Sequence, residues 1–281
     1  MRLIELLYGS PAAEPWGAFY DPIYNGELEP PTTTQIVVST NDGSHLVFKG
    51  SFTVVGGDVT GGTMTGFVGL EGSTKMLEGN GFDIDGAALF DALQTFEANS
   101  DPFFDLLFGA AIKTIGTKLG DQVEGTEFGD TIIGKAGDDD LFGWLGDDLI
   151  KGGKGNDAIQ GAEGFDRLYG GAGDDAFRFD LDPLEPPVGF DKVKDFKVGE
   201  DLFTLRTYVE GLTPGVLDAA YFHKGTEATT GQQIVIYDKS TGRLFFDVDG
   251  SGIEAQFLFA KVTPGTKLGA GDFFVSNSIL M

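Results

Sequence analysis

The chain has no cysteine, and only two histidines and two tryptophans among its 281 residues. Without thiols there are no disulfides and no thiol chemistry, so some other device must staple a small domain. His45 and His223 stand far apart in sequence, which leaves almost no room for a nucleophile–histidine pair. Basic charge is scarce too: 19 Lys and Arg face 44 Asp and Glu, a formal net charge of -25. That balance argues against nucleic acid and against anionic membrane surfaces as partners. No stretch of eighteen apolar residues occurs, so no segment reads as a transmembrane span. The opening MRLIELLYGSPAAEPW has one Arg and an apolar run broken by Glu5, a poor fit to a secretory signal peptide.

What the chain does have is glycine, 44 residues of it, and a nine-residue clock from Gly125 to Arg178. In nines the stretch is GTEFGDTII, GKAGDDDLF, GWLGDDLIK, GGKGNDAIQ, GAEGFDRLY and GGAGDDAFR. Glycine opens each repeat, and a second glycine stands at the fourth place of all but the first: Gly137, Gly146, Gly155, Gly164 and Gly173. Aspartate always holds the sixth place, as Asp130, Asp139, Asp148, Asp157, Asp166 and Asp175. A large apolar residue holds the eighth: Ile132, Leu141, Ile150, Ile159, Leu168 and Phe177.

Six residues so rich in Gly and Asp turn rather than form a helix. The last three make a short strand with one inward side chain, which cannot bury a core unless the repeats stack. Two repeats then form one coil of eighteen residues, with turns alternating between two edges. Asp130, Asp148 and Asp166 line one edge, and Asp139, Asp157 and Asp175 the other. Stacked carboxylates repel unless a cation lies between them. Carboxylates and turn carbonyls, with neither His nor Cys in the stretch, select calcium over transition metals.

The pattern resembles the G-G-x-G-x-D-x-U-x calcium repeat of the RTX family. That resemblance implies a parallel β-roll with ions held between stacked turns by the sixth-place Asp and by main-chain carbonyls. On the family pattern those carbonyls belong to the second-place Lys135, Trp144, Gly153, Ala162 and Gly171 and to the five fourth-place glycines. About four interior calcium sites follow, or five with the ends. The first repeat, with Thr126 and Phe128, departs from the pattern and is expected to cap the roll. Trp144 and Leu145 put apolar surface on a turn of the third repeat.

Outside the roll the expectation is mainly β structure. Residues 1–122 read as a small β-rich domain with one or two helices, 123–179 as the roll, and 180–281 as a β-rich capping domain. In the first, residues 9–34 are expected to form an extended arm or loop. Gln35–Ser39 and His45–Lys49 flank a turn of the Asn-Asp-Gly-Ser type. Further strands are expected at Phe52–Val55, Gly62–Val68 and Thr74–Leu77. A helix capped by Asp85 follows, then a second from Asp101 to Phe108. In the last third, apolar alternation marks Asp191–Phe196, Asp201–Leu205, Gln233–Tyr237, Arg243–Val248 and Gln256–Val262. Asp247–Gly252 is read as a turn rather than a complete calcium loop. LGAGDFFV, at 268–275, resembles the uncleaved signal of type I secretion substrates.

The sequence argues against an enzyme. It contains neither the H-E-x-x-H of the zinc proteases that carry such repeats nor the G-x-S-x-G of the lipases. The expected function is therefore a secreted, bacterial, extracellular calcium-binding protein of surface, matrix or adhesive type, exported by type I secretion machinery. The alternative is a polysaccharide-acting enzyme or a carbohydrate-binding module, with an extracellular glycan or cell-surface component as partner and the roll as folding module.

Overall fold

The structure, a computed structural model, describes residues 2–6, 26–40, 43–71, 73–96, 101–181, 187–207, 209, 212–250 and 255–276. The chain divides into two compact bodies: Met1–Asp121 with Thr126–Thr131, and Gln122–Gly125 with Ile132–Met281. Both are mainly β.

The first body is built on a meander. Strands β1 (Arg2–Leu6), β2 (Glu27–Leu28), β3 (Gln35–Ser39), β4 (Ser44–Val55), β5 (Asp58–Glu71) and β6 (Thr74–Asp85) share a sheet in the order β1-β6-β5-β4-β3-β2. All these neighbours pair antiparallel, and β1 also pairs in parallel with β7 (Ile112–Ile115). The two strands expected at His45–Lys49 and Phe52–Val55 are one continuous β4. The pairing with β5 slips at Lys49/Gly50 and Thr53/Val54, so bulges absorb what a sequence reading takes as breaks. Gly50 is needed there, since a Cβ would meet the Thr63 carbonyl oxygen at 2.2 Å. Of the expected arm, residues 9–25 lie outside the described residues, as do Asn41 and Asp42 of the expected turn.

Helix α1 (Gly86–Gln94) starts where expected, because the Asp85 carboxylate accepts the Ala88 N–H at 2.9 Å. It buries Leu89, Phe90 and Ala92 and packs on β5. Helix α2 (Asp101–Phe108) adds Phe103, whose ring meets Phe48 and Phe96 edge-on at 6.0 and 5.4 Å. Phe67 joins Phe48 and Phe82, so phenylalanines fill much of this core. His45 is a strand residue whose Nδ1 lies 2.8 Å from Ser39 Oγ.

The second body contains the coils. Strands β8 (Gln122–Glu124), β10 (Asp140–Phe142), β12 (Ala158–Gln160), β14 (Ala176–Asp180), β16 (Leu202–Arg206) and β22 (Phe273–Ser276) form one sheet of parallel neighbours, closed by an antiparallel β17 (Gly215–Val216). The other sheet runs β9 (Thr131–Ala136), β11 (Leu149–Lys154), β13 (Arg167–Ala172), β15 (Asp191–Val193) and β21 (Phe257–Lys261). From β11 to β21 its neighbours are parallel. Beyond β21 come β20 (Arg243–Phe246), β19 (Val235–Asp238) and β18 (Phe222–Lys224), with β19 and β20 pairing antiparallel. Each eighth-place residue from Ile132 to Phe177 has no solvent exposure, which is the stacked core that the nine-residue clock requires.

Parallel stacking runs past both ends of the six repeats. Before them, residues 116–124 spell GTKLGDQVE, with Asp121 and Val123 buried in the sixth and eighth places. After them, Val193 and Phe203 take the inward position on β15 and β16. Phe203 lies between Phe196 and Phe273, with ring centroids at 4.4 and 5.1 Å.

Candidate metal centre

From the second repeat on, the opening glycine has a reason visible at the site. A Cβ on Gly134, Gly143, Gly152 or Gly161 would lie 2.1 Å from Oδ2 of Asp139, Asp148, Asp157 or Asp166, and one on Gly170 would lie 2.2 Å from that of Asp175. The sixth-place carboxylate thus folds back under its own turn onto the opening residue. These five aspartates and Asp130 of the first repeat are at most 2% exposed.

Two ladders join the turns. Along one edge the Asp139 N–H donates to Asp157 Oδ1 at 3.0 Å, Asp157 N–H to Asp175 Oδ1 at 3.0 Å, and Asp175 N–H to Asp201 Oδ1 at 3.1 Å. Along the other, Asp148 N–H donates to Asp166 Oδ1 at 2.7 Å and Asp166 N–H to Asp191 Oδ1 at 3.4 Å. One oxygen of each carboxylate is therefore committed to the preceding turn. The second oxygens of Asp157, Asp166 and Asp175 are buried without a hydrogen-bond partner. Such orphaned carboxylate oxygens are costly in a folded protein unless a cation or a proton takes them.

Their electrostatics agree. Burial raises Asp157 from the usual 3.8 to about 7, with the Asp175 and Asp138 charges adding to the rise. Burial likewise raises Asp166 and Asp175, in each case against a backbone N–H that favours the charged form. Asp191 is pushed well above the usual carboxylate range, by burial first and then by the neighbouring Asp166 carboxylate. Two buried carboxylates in contact cannot both ionise at neutral pH without a counter-ion.

Asp130 stands apart. Its Oδ1 accepts the Ile112 N–H at 2.6 Å, and its Oδ2 accepts both the Thr126 N–H and the Thr126 hydroxyl, the latter at 2.9 Å. Asp121 is held by Thr117 in the same manner. A threonine in second place thus satisfies the carboxylate within the turn. Among the later coils, Asp201 is similarly held, its Oδ2 accepting the Lys197 N–H at 2.7 Å.

The main chain of the same turns is held in an unusual conformation. Lys135, Trp144 and Ala162 have φ of 83°, 76° and 72° and are the non-glycine residues with left-handed backbone among those described. All three occupy second places, as do Gly153 and Gly171, whose φ are 125° and 107°. The fourth-place glycines are left-handed throughout, from 102° at Gly146 to 135° at Gly164 and Gly173. Stacked turns lie so close that a Cβ on Gly153 would meet the Lys135 oxygen at 2.3 Å, and one on Gly155 the Gly137 oxygen at 2.1 Å. On the other edge, a Cβ on Gly164 would meet the Gly146 oxygen at 1.9 Å. Carbonyls of the second and fourth places therefore face the next turn. The Trp144 oxygen accepts the Glu163 N–H at 3.0 Å.

A third ladder escaped the sequence reading. Fifth-place Asp138 accepts the Asn156 N–H at 2.7 Å, Asn156 accepts the Asp174 N–H at 2.9 Å, and Asp147 accepts the Phe165 N–H at 3.0 Å. Its signal was present as Asp or Asn at four of the five fifth places from Asp138 onward. Among the described residues no three His, Cys, Asp or Glu side chains converge as a metal-binding group. An ion in the turns would therefore draw on main-chain carbonyls for most of its ligands, a donor set that suits calcium. In the loop at Asp247, Ser251 and Gly252 lie outside the described residues.

Residues 115–150, 124–159 and 151–182 match the family described as RTX calcium-binding nonapeptide repeat, in four copies. This part of the chain is a run of RTX repeats, which bind calcium. Among solved structures the chain is similar to the extracellular lipase of Serratia marcescens, at 12% identity and a TM-score of 0.24, over 59% of this chain and 40% of that one. It is also similar to a subunit of the mannuronan C5-epimerase of Azotobacter vinelandii, at 25% identity and a TM-score of 0.22, over 59% of this chain and 83% of that one. The chain thus spans less than half the length of the lipase. No curated protein matches it.

Proposed function

We propose, from the premise that residues 115–182 are RTX calcium-binding repeats, that this is a secreted protein whose coils fold when calcium fills their turns. The carrying observation is the set of buried, partnerless second oxygens on Asp157, Asp166 and Asp175. Asp139, Asp157 and Asp175 with carbonyls of Lys135, Gly137, Gly153 and Gly155 would hold ions along one edge. Asp148, Asp166 and Asp191 with carbonyls of Gly146 and Gly164 would hold them along the other. About four ions satisfy these gaps. Asp130 is left out of this set, because Thr126 already satisfies it.

Calcium supplies the positive charge that lets these buried carboxylates ionise together. The chain's own contribution is to hold the turns at a spacing set by the ladders and to exclude water from the carboxylates. In a calcium-poor cytoplasm the net charge of -25 opposes compaction and keeps the coils open for export. Outside, millimolar calcium drives folding by mass action. A structural, surface-associated role fits a chain whose only two histidines lie in different bodies. No helix among the described residues is long and apolar enough to cross a membrane.

The test is a metal count: the protein is equilibrated with calcium, separated from free ion, and measured by plasma emission. About four bound ions per chain, lowered by Asp157→Asn and unchanged by Asp130→Asn, support the assignment. A stoichiometry near zero, or equal losses from both variants, would sink it.

A further inference from the structure

The outer face of the β8–β22 sheet carries a groove that calcium binding does not explain. It holds about 300 Å³ and lies within the second body, away from the turn interiors. At one end Trp144, 48% exposed, meets Phe142 edge-on at 4.6 Å and donates its Nε1–H to Glu124 at 3.2 Å. Glu124, Phe142 and Gln160 stand in register on β8, β10 and β12. Arg178 on β14 reaches Asp140 at 2.7 Å, and Arg206 on β16 clasps Asp180 with two bonds of 2.6 and 2.7 Å. Gln160 also donates to Asp180 at 3.2 Å.

Trp144 is the most informative residue. It occupies a left-handed second place at φ 76°, which Gly153 and Gly171 hold at no cost and which Lys135 and Ala162 hold with a more flexible or a smaller side chain. Holding a bulky side chain there costs about 1–2 kcal/mol, and strain of this kind gathers where a side chain is needed for function. An indole anchored by a hydrogen bond, and backed by a second ring, is a rigid apolar platform beside a row of planar polar groups.

We propose that this face binds a neutral oligosaccharide, with Trp144 stacking on the apolar face of a pyranose ring. Gln160, Arg178 and Asp140 then hydrogen-bond its hydroxyls. The sheet advances by about 4.8 Å per coil, comparable to the length of one sugar ring, so successive coils offer successive polar side chains along a glycan chain. Charge decides between glycan classes. Glu124, Asp140 and Asp180 face only two guanidiniums, on a chain of net charge -25, so a polyuronate is repelled. The carboxylates are already matched by Arg178, Arg206 and the indole N–H, which leaves directed hydrogen-bonding groups rather than a cation sink.

Calorimetric titration of the calcium-loaded full chain tests this, with cellohexaose and laminarihexaose as neutral probes and oligogalacturonate as the anionic one. At least one neutral probe is expected to bind. Trp144→Gly should weaken that binding by about tenfold or more. The variant keeps the fold because Gly153 and Gly171 occupy the same place in other repeats, and far-UV circular dichroism verifies that. Gln160→Ala should weaken binding several-fold with the stacking residue intact. No binding of either neutral probe at about 5 mM, unchanged affinity in a folded Trp144→Gly variant, or binding of oligogalacturonate alone would overturn the proposal.

Discussion

Replacing Asp157 by Asn should strengthen the calcium-free protein and weaken the calcium-loaded one. Asp157 is 1% exposed, its Oδ1 accepts the Asp139 N–H, and its Oδ2 has no partner. Its folded pKa is raised from 3.8 to about 7. A carboxyl raised on folding favours the folded state at low pH, and that advantage is lost as pH climbs from about 4 through 7. At neutral pH the folded, calcium-free coil is thus penalised by about 4 kcal/mol relative to its protonated form. Asn never ionises and avoids this penalty, but it puts an NH2 where Oδ2 lacks a partner, a cost of about 1–3 kcal/mol. The net gain for the calcium-free variant near pH 7 is about 1–3 kcal/mol. Near pH 5 the wild-type penalty falls to about 2 kcal/mol, so the advantage nearly vanishes. Urea unfolding of both EDTA-treated proteins at the two pH values, and again in calcium, reads these differences. If the variant is the less stable protein in EDTA at neutral pH, protein contacts already satisfy the carboxylate, and the case for a cation between these turns fails.

Four further outcomes follow from the same geometry. Acidification of the EDTA-treated wild type should restore β signal in far-UV circular dichroism, because Asp157, Asp166, Asp175 and Asp191 are all raised; continued loss of signal down to about pH 5 would contradict this. Gly152→Ala drives a Cβ to within 2.1 Å of Asp157 Oδ2 and 2.7 Å of the Gly170 oxygen, and should lower stability in calcium by about 2–4 kcal/mol, while Gly61→Ala, which meets nothing within 4 Å, should leave it within about 0.5 kcal/mol in the same thermal melts. Ala162→Gly relieves left-handed backbone and should raise the calcium-loaded melting point slightly, by up to about 1 kcal/mol in stability. Thr126→Val removes the hydroxyl held by Asp130 at 2.9 Å and should destabilise the protein by about 1–2 kcal/mol, with no change in calcium stoichiometry.

The repeats were legible because each place in them answers to one physical demand. The opening glycine makes room for Asp Oδ2, the sixth-place Asp laces the turns, and the eighth-place residue fills the core. The turn at 116–124 escaped notice because it has Leu119 where the later repeats have glycine, yet it shares the Gly-Thr start and Gly-Asp pair of the first repeat. The later coils hid for a different reason. Asp191 and Asp201 lie 25 and 26 residues beyond their partners instead of 18, so inserted loops break the period while leaving the ladder intact. In the first body, β4 was divided at Gly50 and Ser51 because glycine signals a break, whereas β-bulges let the strand continue. The groove beside Trp144 depends on the register of five strands, from β8 to β16, which no local pattern encodes.

The central claim is that calcium folds the coils, and a far-UV circular dichroism titration of the EDTA-treated protein tests it most directly. With calcium, β signal should rise cooperatively and saturate at about four ions per chain, while magnesium at the same concentrations should leave the spectrum unchanged. A spectrum that ignores calcium, or that responds equally to magnesium, would contradict the account.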